Sequence, residues 1–145
     1  MLYAGNEKQN QKPVKPAVNM KEKNKPTILV IDDSTTNVVL LEAILNDHGY
    51  KIDTAFNAKE AFQIISRQLP DLILLDLLMP RINGYEFLES IKSKEATRNI
   101  PVVVISAVTD NENIKKTMKL GAHDYIKKPV DIQNLVDKVT SILGN

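Results

Sequence analysis

From Thr27 onward the chain alternates short apolar runs with longer segments whose apolar residues recur at helical spacing. The first run, "TILVI" (27–31), is β-branched and shows no polar alternation, the pattern of a strand covered on both faces. "TTNVVLLEAILNDHGY" (35–50) predicts a helix, with Val38, Leu41, Ala43, Ile44 and Leu45 as its apolar stripe and Gly49 as its stop. "KIDTAF" (51–56) predicts a weaker strand. "NAKEAFQIISRQLP" (57–70) predicts a helix capped by Asn57, with Glu60 three residues later and Pro70 beyond its end. "DLILLD" (71–76) reads as a third, buried strand, and "GYEFLESIKS" (84–93) as a helix with Tyr85, Leu88 and Ile91 on roughly one face. Gly84 is expected to serve a tight turn before that helix. "PVVVISA" (101–107) is the fourth strand, and "NENIKKTMKLGA" (111–122) is a short helix closed by Gly121. "DYIKK" (124–128) is a short last strand, and "DIQNLVDKVTSILG" (131–144) is a final helix with Leu135, Val139 and Ile142 inward.

Strand then helix, five times over, predicts an α/β fold with a parallel sheet and helices on both faces. Right-handed crossovers limit its topologies. Ligands of such sheets bind outside the carboxyl ends of the strands. Those ends are where the chemistry should lie.

Composition changes this picture only at the N-terminus. The 145 residues suit one domain, and with 43% apolar but 5% aromatic residues its core must be aliphatic. Residues 1–26 hold six Lys and two Glu, with much Asn, Gln and Pro. Such a composition cannot bury enough surface to offset chain entropy. Residues 1–26 are therefore expected to be a disordered tail or linker, and 27–145 the folded domain. The lysines could form a weak anionic-partner patch, but a solubilising leader is the preferred reading. The folded part has 13 basic and 16 acidic residues and is mildly acidic. The absence of Cys excludes disulfides and thiolate metal sites. No apolar run reaches the ~18 residues of a membrane span, and the N-terminus has no apolar signal core. The expectation is a soluble, cytoplasmic protein that contacts neither membrane nor, lacking a recognition helix or basic groove, nucleic acid directly.

The predicted strand ends carry Asp32 and Asp33, Asp76, Ser106, and Lys127, Lys128 and Pro129. Three convergent carboxylates repel one another unless something positive sits among them. Oxygen ligands without Cys or His suit Mg²⁺ or Mn²⁺. A lysine adds a second positive charge and a serine adds a hydrogen-bond donor. Asp76 could then attack phosphorus as a carboxylate nucleophile and form an acyl phosphate.

With "VIDDS", "LLDLLMPRINGYEF", "VISA" and "YIKKP" at successive strand ends, the chain resembles the receiver domains of two-component response regulators over about residues 26–145. The resemblance implies a flavodoxin-like (βα)5 doubly wound five-stranded parallel sheet of order 2-1-3-4-5. It implies that Asp76 is the phosphoacceptor and that Asp33 binds the metal directly, while Asp32 acts mainly through water. By the same resemblance the Leu78 backbone carbonyl is a third protein ligand. Ser106 is the hydroxyl that bonds the phosphoryl group and moves with it. Lys128, next to Pro129 across a cis bond, is the site lysine, and Tyr125 is the aromatic switch. The implied donor is a histidine kinase or histidine phosphotransfer protein. The implied output is a changed surface around the fourth helix, fifth strand and fifth helix, offered to a downstream protein. A phosphorylation-dependent homodimer through that face is a further expectation. Such a domain assists its own phosphorylation and dephosphorylation without being a turnover enzyme. Leu78 and Val108, each two residues past a site residue, are apolar where polar side chains could position a water. Slow phosphoryl loss is expected.

Each residue also has a plainer reading. Asp32 or Asp76 could be only a helix cap, Ser106 a loop serine, Tyr125 half-buried packing, and Lys127 solvated. His48 and His123 read as surface or loop residues. Among rivals, a haloacid dehalogenase-type hydrolase needs Asp-x-Asp after the first strand, which adjacent Asp32–Asp33 does not supply. A flavin carrier needs a phosphate loop that "DDSTTN" lacks, and its acids would repel phosphate. An interaction domain with an idle site stays open. So do two contexts: a stand-alone receiver, and a receiver module excised from a larger hybrid kinase or regulator.

Overall fold

The computed structural model describes residues 25–79, 82–108 and 110–144. The expected tail, apart from Lys25 and Pro26, lies outside the described residues. Strands β1 (Thr27–Ile31), β2 (Lys51–Ala55), β3 (Leu72–Asp76), β4 (Val102–Ser106) and β5 (Asp124–Lys127) alternate with helices α1 (Thr35–Asp47), α2 (Ala58–Arg67), α3 (Gly84–Ser93), α4 (Asn111–Lys119) and α5 (Ile132–Leu143). All strand pairs of the main sheet are parallel, in the order β2-β1-β3-β4-β5. This is the 2-1-3-4-5 sheet expected. An antiparallel pairing of Leu78–Met79 with Ile82–Asn83, which the periodicity did not predict, lies between β3 and α3.

Burial explains the strand patterns. β1, β3 and β4 sit inside the sheet and are buried at every residue, which is why their sequences do not alternate. β2 and β5 form the edges and expose Lys51 and Lys127. Alternate residues of the inner strands feed two cores. Ile28 and Val30 of β1 join Val38, Leu41 and Leu45 of α1 and Leu135 and Val139 of α5. Leu29 and Ile31 join Ala61 and Ile65 of α2 and Phe87, Leu88 and Ile91 of α3 on the opposite face. Each fully buried aliphatic side chain contributes roughly 1.5–3 kcal/mol, so the two layers hold the sheet rigid beneath whatever lies at its ends.

Each of the five described helices starts on a side-chain cap: Ser34, Asn57, Asn83, Asp110 and Asp131 each accept from a backbone N–H of the first turn. Asp32 and Asp76 are therefore not caps. Gly49 ends α1 with φ +93°, as a stop requires. Two expectations change. Ala43 is exposed and does not belong to the α1 stripe. Gly84, expected to serve a tight turn before α3, is the first residue of that helix and has no positive φ; a Cβ there would lie 2.6 Å from Leu77 Cα. The position excludes a side chain because two backbones meet.

Candidate functional site

The sheet register delivers the chemistry to one edge. β1 runs out at Ile31, and the Asp32 N–H is held by the Ala55 carbonyl of β2 at 3.1 Å. Asp76 is the last residue of β3 and pairs with Ile105 of β4. Ser106 ends β4 opposite Lys127, and its carbonyl accepts the Lys128 N–H at 2.9 Å. Each residue thus follows or closes a strand whose hydrogen bonds fix its height. The Lys128–Pro129 bond is cis, as expected.

Asp32, Asp33 and Asp76 come together, each offering a carboxylate oxygen within 4.8 Å of the others. Asp32 and Asp76 are buried, at 4% and 5% exposure, while Asp33 faces solvent. Asp76 Oδ1 accepts the Leu78 N–H at 3.1 Å. The Lys128 ammonium lies 3.5 Å from Asp76 Oδ2 and 3.7 Å from Asp32 Oδ2. It bridges the two buried acids as an ion pair but is too far for a short hydrogen bond to either.

One ammonium does not balance this cluster. Burial pushes the Asp76 carboxyl above its ordinary pKa, and the neighbouring Asp32 adds to the rise. The Leu78 N–H and Lys128 pull the other way without cancelling it. Lys128 alone thus leaves Asp76 short of positive charge. A compact set of carboxylate oxygens, two of them buried, fits a hard divalent cation such as Mg²⁺ or Mn²⁺ and no soft one.

Ser106 is fully buried, and its Oγ accepts the Val108 N–H at 3.2 Å. Tyr125 lies half-buried against the α2–α3 core, and its hydroxyl donates to the Val108 carbonyl. Burial raises the Tyr125 pKa, and the neighbouring Ser106 hydroxyl opposes the rise. Ser106 and Tyr125 therefore converge on the same short loop before α4. The Leu78 side chain, 54% exposed, stands beside Asp76. Lys127, His48 and His123 are exposed.

Two side-chain contacts escaped the sequence reading. Asn37 in the first turn of α1 donates from Nδ2 to Asp32 Oδ2 at 3.3 Å. Tyr85 in α3 donates to Asn113 Oδ1 in α4 at 3.1 Å, with the Lys116 ammonium 4.5 Å from its ring centre. The only sequence signal for Asn37 is its place three residues after the cap Ser34. Tyr85 has none, since Asn113 is 28 residues away.

Residues 28–140 match the family model described as the response regulator receiver domain. The chain is 39% identical over 115 residues to the response regulator PleD of Caulobacter vibrioides, a match covering 79% of this chain and 25% of PleD. The chain thus spans about a quarter of that relative's length. It is 30% identical to the protein PilH of Pseudomonas aeruginosa, over 81% of this chain and 97% of PilH. Among solved structures, the signal receiver domain of a signal transduction histidine kinase from Syntrophus aciditrophicus superposes with a TM-score of 0.75 at 33% identity, over 81% of this chain and 89% of that one.

Proposed function

Because the chain belongs to the response regulator receiver domain family, we propose that it is a signalling switch that accepts a phosphoryl group on Asp76. The observation that carries this reading is the buried Asp76 carboxyl, set between two further acids and one lysine at the end of a central strand. Receiver domains act with histidine kinases and downstream effectors. The donor here is a phosphohistidine of a kinase or phosphotransfer protein.

In the transfer, an Asp76 oxygen attacks phosphorus opposite the imidazole nitrogen. The new O–P bond forms as the N–P bond breaks, and the electron pair leaves with an imidazole whose other nitrogen carries the proton. Lys128, now 3.5 Å from Asp76, takes up charge on the transferring oxygens. Asp32, Asp33, Asp76 and the Leu78 carbonyl would hold Mg²⁺ or Mn²⁺. That cation supplies the positive charge the carboxylates and phosphoryl oxygens need. Ser106 donates its hydroxyl to the phosphoryl group, releasing the Val108 N–H it now accepts. Because Tyr125 holds the same Val108, the change passes to α4, β5 and α5. The phosphoryl charge biases two arrangements of that surface, a population shift rather than a new fold.

A recess of about 300 Å³ supports a docked donor. Asp32 and Lys128 line it together with Leu40, Ile44, Val130 and Ile132, between α1 and the start of α5. Leu40 and Ile132 are about half exposed, an apolar rim beside an acid site. A second reading, a receiver module within a larger kinase or regulator, is raised by the quarter-length match to PleD, whereas the match to PilH spans 97% of that protein.

Intact mass after incubation with Mg²⁺ and acetyl phosphate tests the reading. Wild type is expected to gain one phosphoryl group, and Asp76→Asn or chelation of the metal to abolish the gain. A gain that survives Asp76→Asn overturns the site assignment. No gain from acetyl phosphate or from phosphohistidine donors leaves an idle interaction domain.

A further inference from the structure

The first turn of α1 departs from an ordinary capping box. There the N-cap hydroxyl serves the third helical N–H, and the third side chain reaches back to the N-cap N–H. Ser34 does its half, accepting the Asn37 N–H at 3.3 Å. The return bond is missing, because the Ser34 N–H is taken by Asp32 Oδ1 at 2.9 Å. The Asn37 amide reaches instead to the other oxygen of the same carboxylate, Oδ2, at 3.3 Å. The Asp32 carboxylate is thus inserted into the box. It is gripped at one oxygen by backbone and at the other by an amide side chain, both from the helix it precedes.

We propose that Asn37 is a positioning residue for the cation site: its amide fixes the plane of the Asp32 carboxylate so that the remaining lone pairs face Asp33 and Asp76. This rests on the metal-binding reading above.

The physical case has three parts. Asp32 is 4% exposed, so water does little to hold its rotamer. Its only other side-chain partner among the described residues is Lys128, at 3.7 Å. Lys128 also serves Asp76, and any draw of the ammonium toward a phosphoryl group takes it from Asp32. A neutral amide is not competed for in this way. Residue type matters as well. Glutamate, the usual third residue of a capping box, would set a like charge against Asp32. Asparagine donates without adding charge. Partners that orient the carboxylates around a metal, whether these bind it directly or, as expected for Asp32, through water, commonly govern affinity more than their small bond energy suggests.

The test is Mn²⁺ binding to the full chain, followed by the electron paramagnetic resonance of free Mn²⁺. Thermal unfolding is run alongside. Asn37→Leu keeps the bulk and loses the amide; Asn37→Gln keeps an amide. Expected is a dissociation constant about 10-fold weaker for Asn37→Leu, the low end for an outer partner of a metal site because the bond is long at 3.3 Å. Asn37→Gln should recover most of that loss, and metal-free Tm should stay close to wild type. Equal affinity of wild type and Asn37→Leu overturns the proposal. So does a weakened affinity that Asn37→Gln shares in full, or one matched by a large fall in metal-free Tm, since either marks a packing role. If wild type itself binds no Mn²⁺, the metal reading fails and the proposal falls with it.

Discussion

Two lysines, one at each end of the sheet, turn their ammonium groups into the protein and meet opposite surroundings. Lys92, in the last turn of α3, donates to the carbonyls of Arg98 at 3.0 Å and Ile100 at 2.6 Å, just before β4 begins. Burial lowers its pKa, and neutral acceptors satisfy it. Lys128, at the carboxyl end, meets two buried carboxylates at longer range, with a third acid beside them. At the amino end the partners are neutral and fixed by backbone. At the carboxyl end like charges are crowded and one cation does not settle them. A polar group whose needs are met locally stabilises the fold. A cluster whose needs are met only in part is where a ligand can add free energy.

The contrast can be broken hardest at Gly84. An added methyl there meets Leu77 Cα at 2.6 Å and the Asp76 carbonyl at 3.1 Å. Gly84→Ala is expected to cost about 3 kcal/mol of stability and to displace Asp76. Urea unfolding with a parallel phosphorylation assay checks it; unchanged stability would show that α3 can slide freely.

At the quiet end, Lys92→Met keeps the stem and removes the ammonium, leaving two carbonyls without their donor. The expected loss is about 1–2 kcal/mol, with phosphorylation by acetyl phosphate unchanged. A matching loss of phosphorylation would mean the two ends are coupled.

At the charged end, Asp76→Asn should raise metal-free stability by about 1 kcal/mol, or roughly 3–6 °C in Tm. Folding raises the Asp76 pKa above its ordinary carboxylate value, chiefly through burial. The native state therefore holds that proton more tightly than the unfolded chain does. Stability falls as pH rises from the unfolded toward the native pKa, and the cost persists above it. The gain should accordingly vanish in acid, below both values. A destabilised variant at neutral pH would show that Lys128 outweighs burial.

The smallest effect concerns lifetime. Leu78 stands exposed beside Asp76 and Val108 is half-buried, and neither can orient a water. The isolated phosphoprotein should lose its phosphoryl group slowly, and Leu78→Asn should speed that loss by a few-fold, or about 1 kcal/mol in barrier. Release within seconds in wild type would refute this.

Much of the molecule was legible in the chain because local pattern and global fold agree. "TILVI", "LILLD" and "VVVIS" carry no alternation because both faces of β1, β3 and β4 are covered. Helix starts were less visible: Asn57 reads as a cap in the chain, whereas Ser34, Asn83, Asp110 and Asp131 emerge as caps only in the structure. The candidate site residues Asp32, Asp33, Asp76, Ser106 and Lys128 could be gathered from the chain because parallel strands carry their ends to one edge, so spacing along the chain translates into proximity.

The sequence by itself determined the alternation, the central strands and which acids would meet. Those depend on hydrophobic period and on short-range steric rules, which act residue by residue. Tertiary structure alone decided that Gly84 answers to Leu77, that Tyr125 and Ser106 share Val108, and that Asn37 reaches around its own cap to Asp32. The first two are set by how packed segments meet, and the third, though only five residues apart, by side-chain rotamers at the start of a helix; no hydrophobic period encodes any of them. The charge balance at Asp76 belongs to the same class, because a pKa follows from burial and neighbours that exist only once the sheet has closed around it.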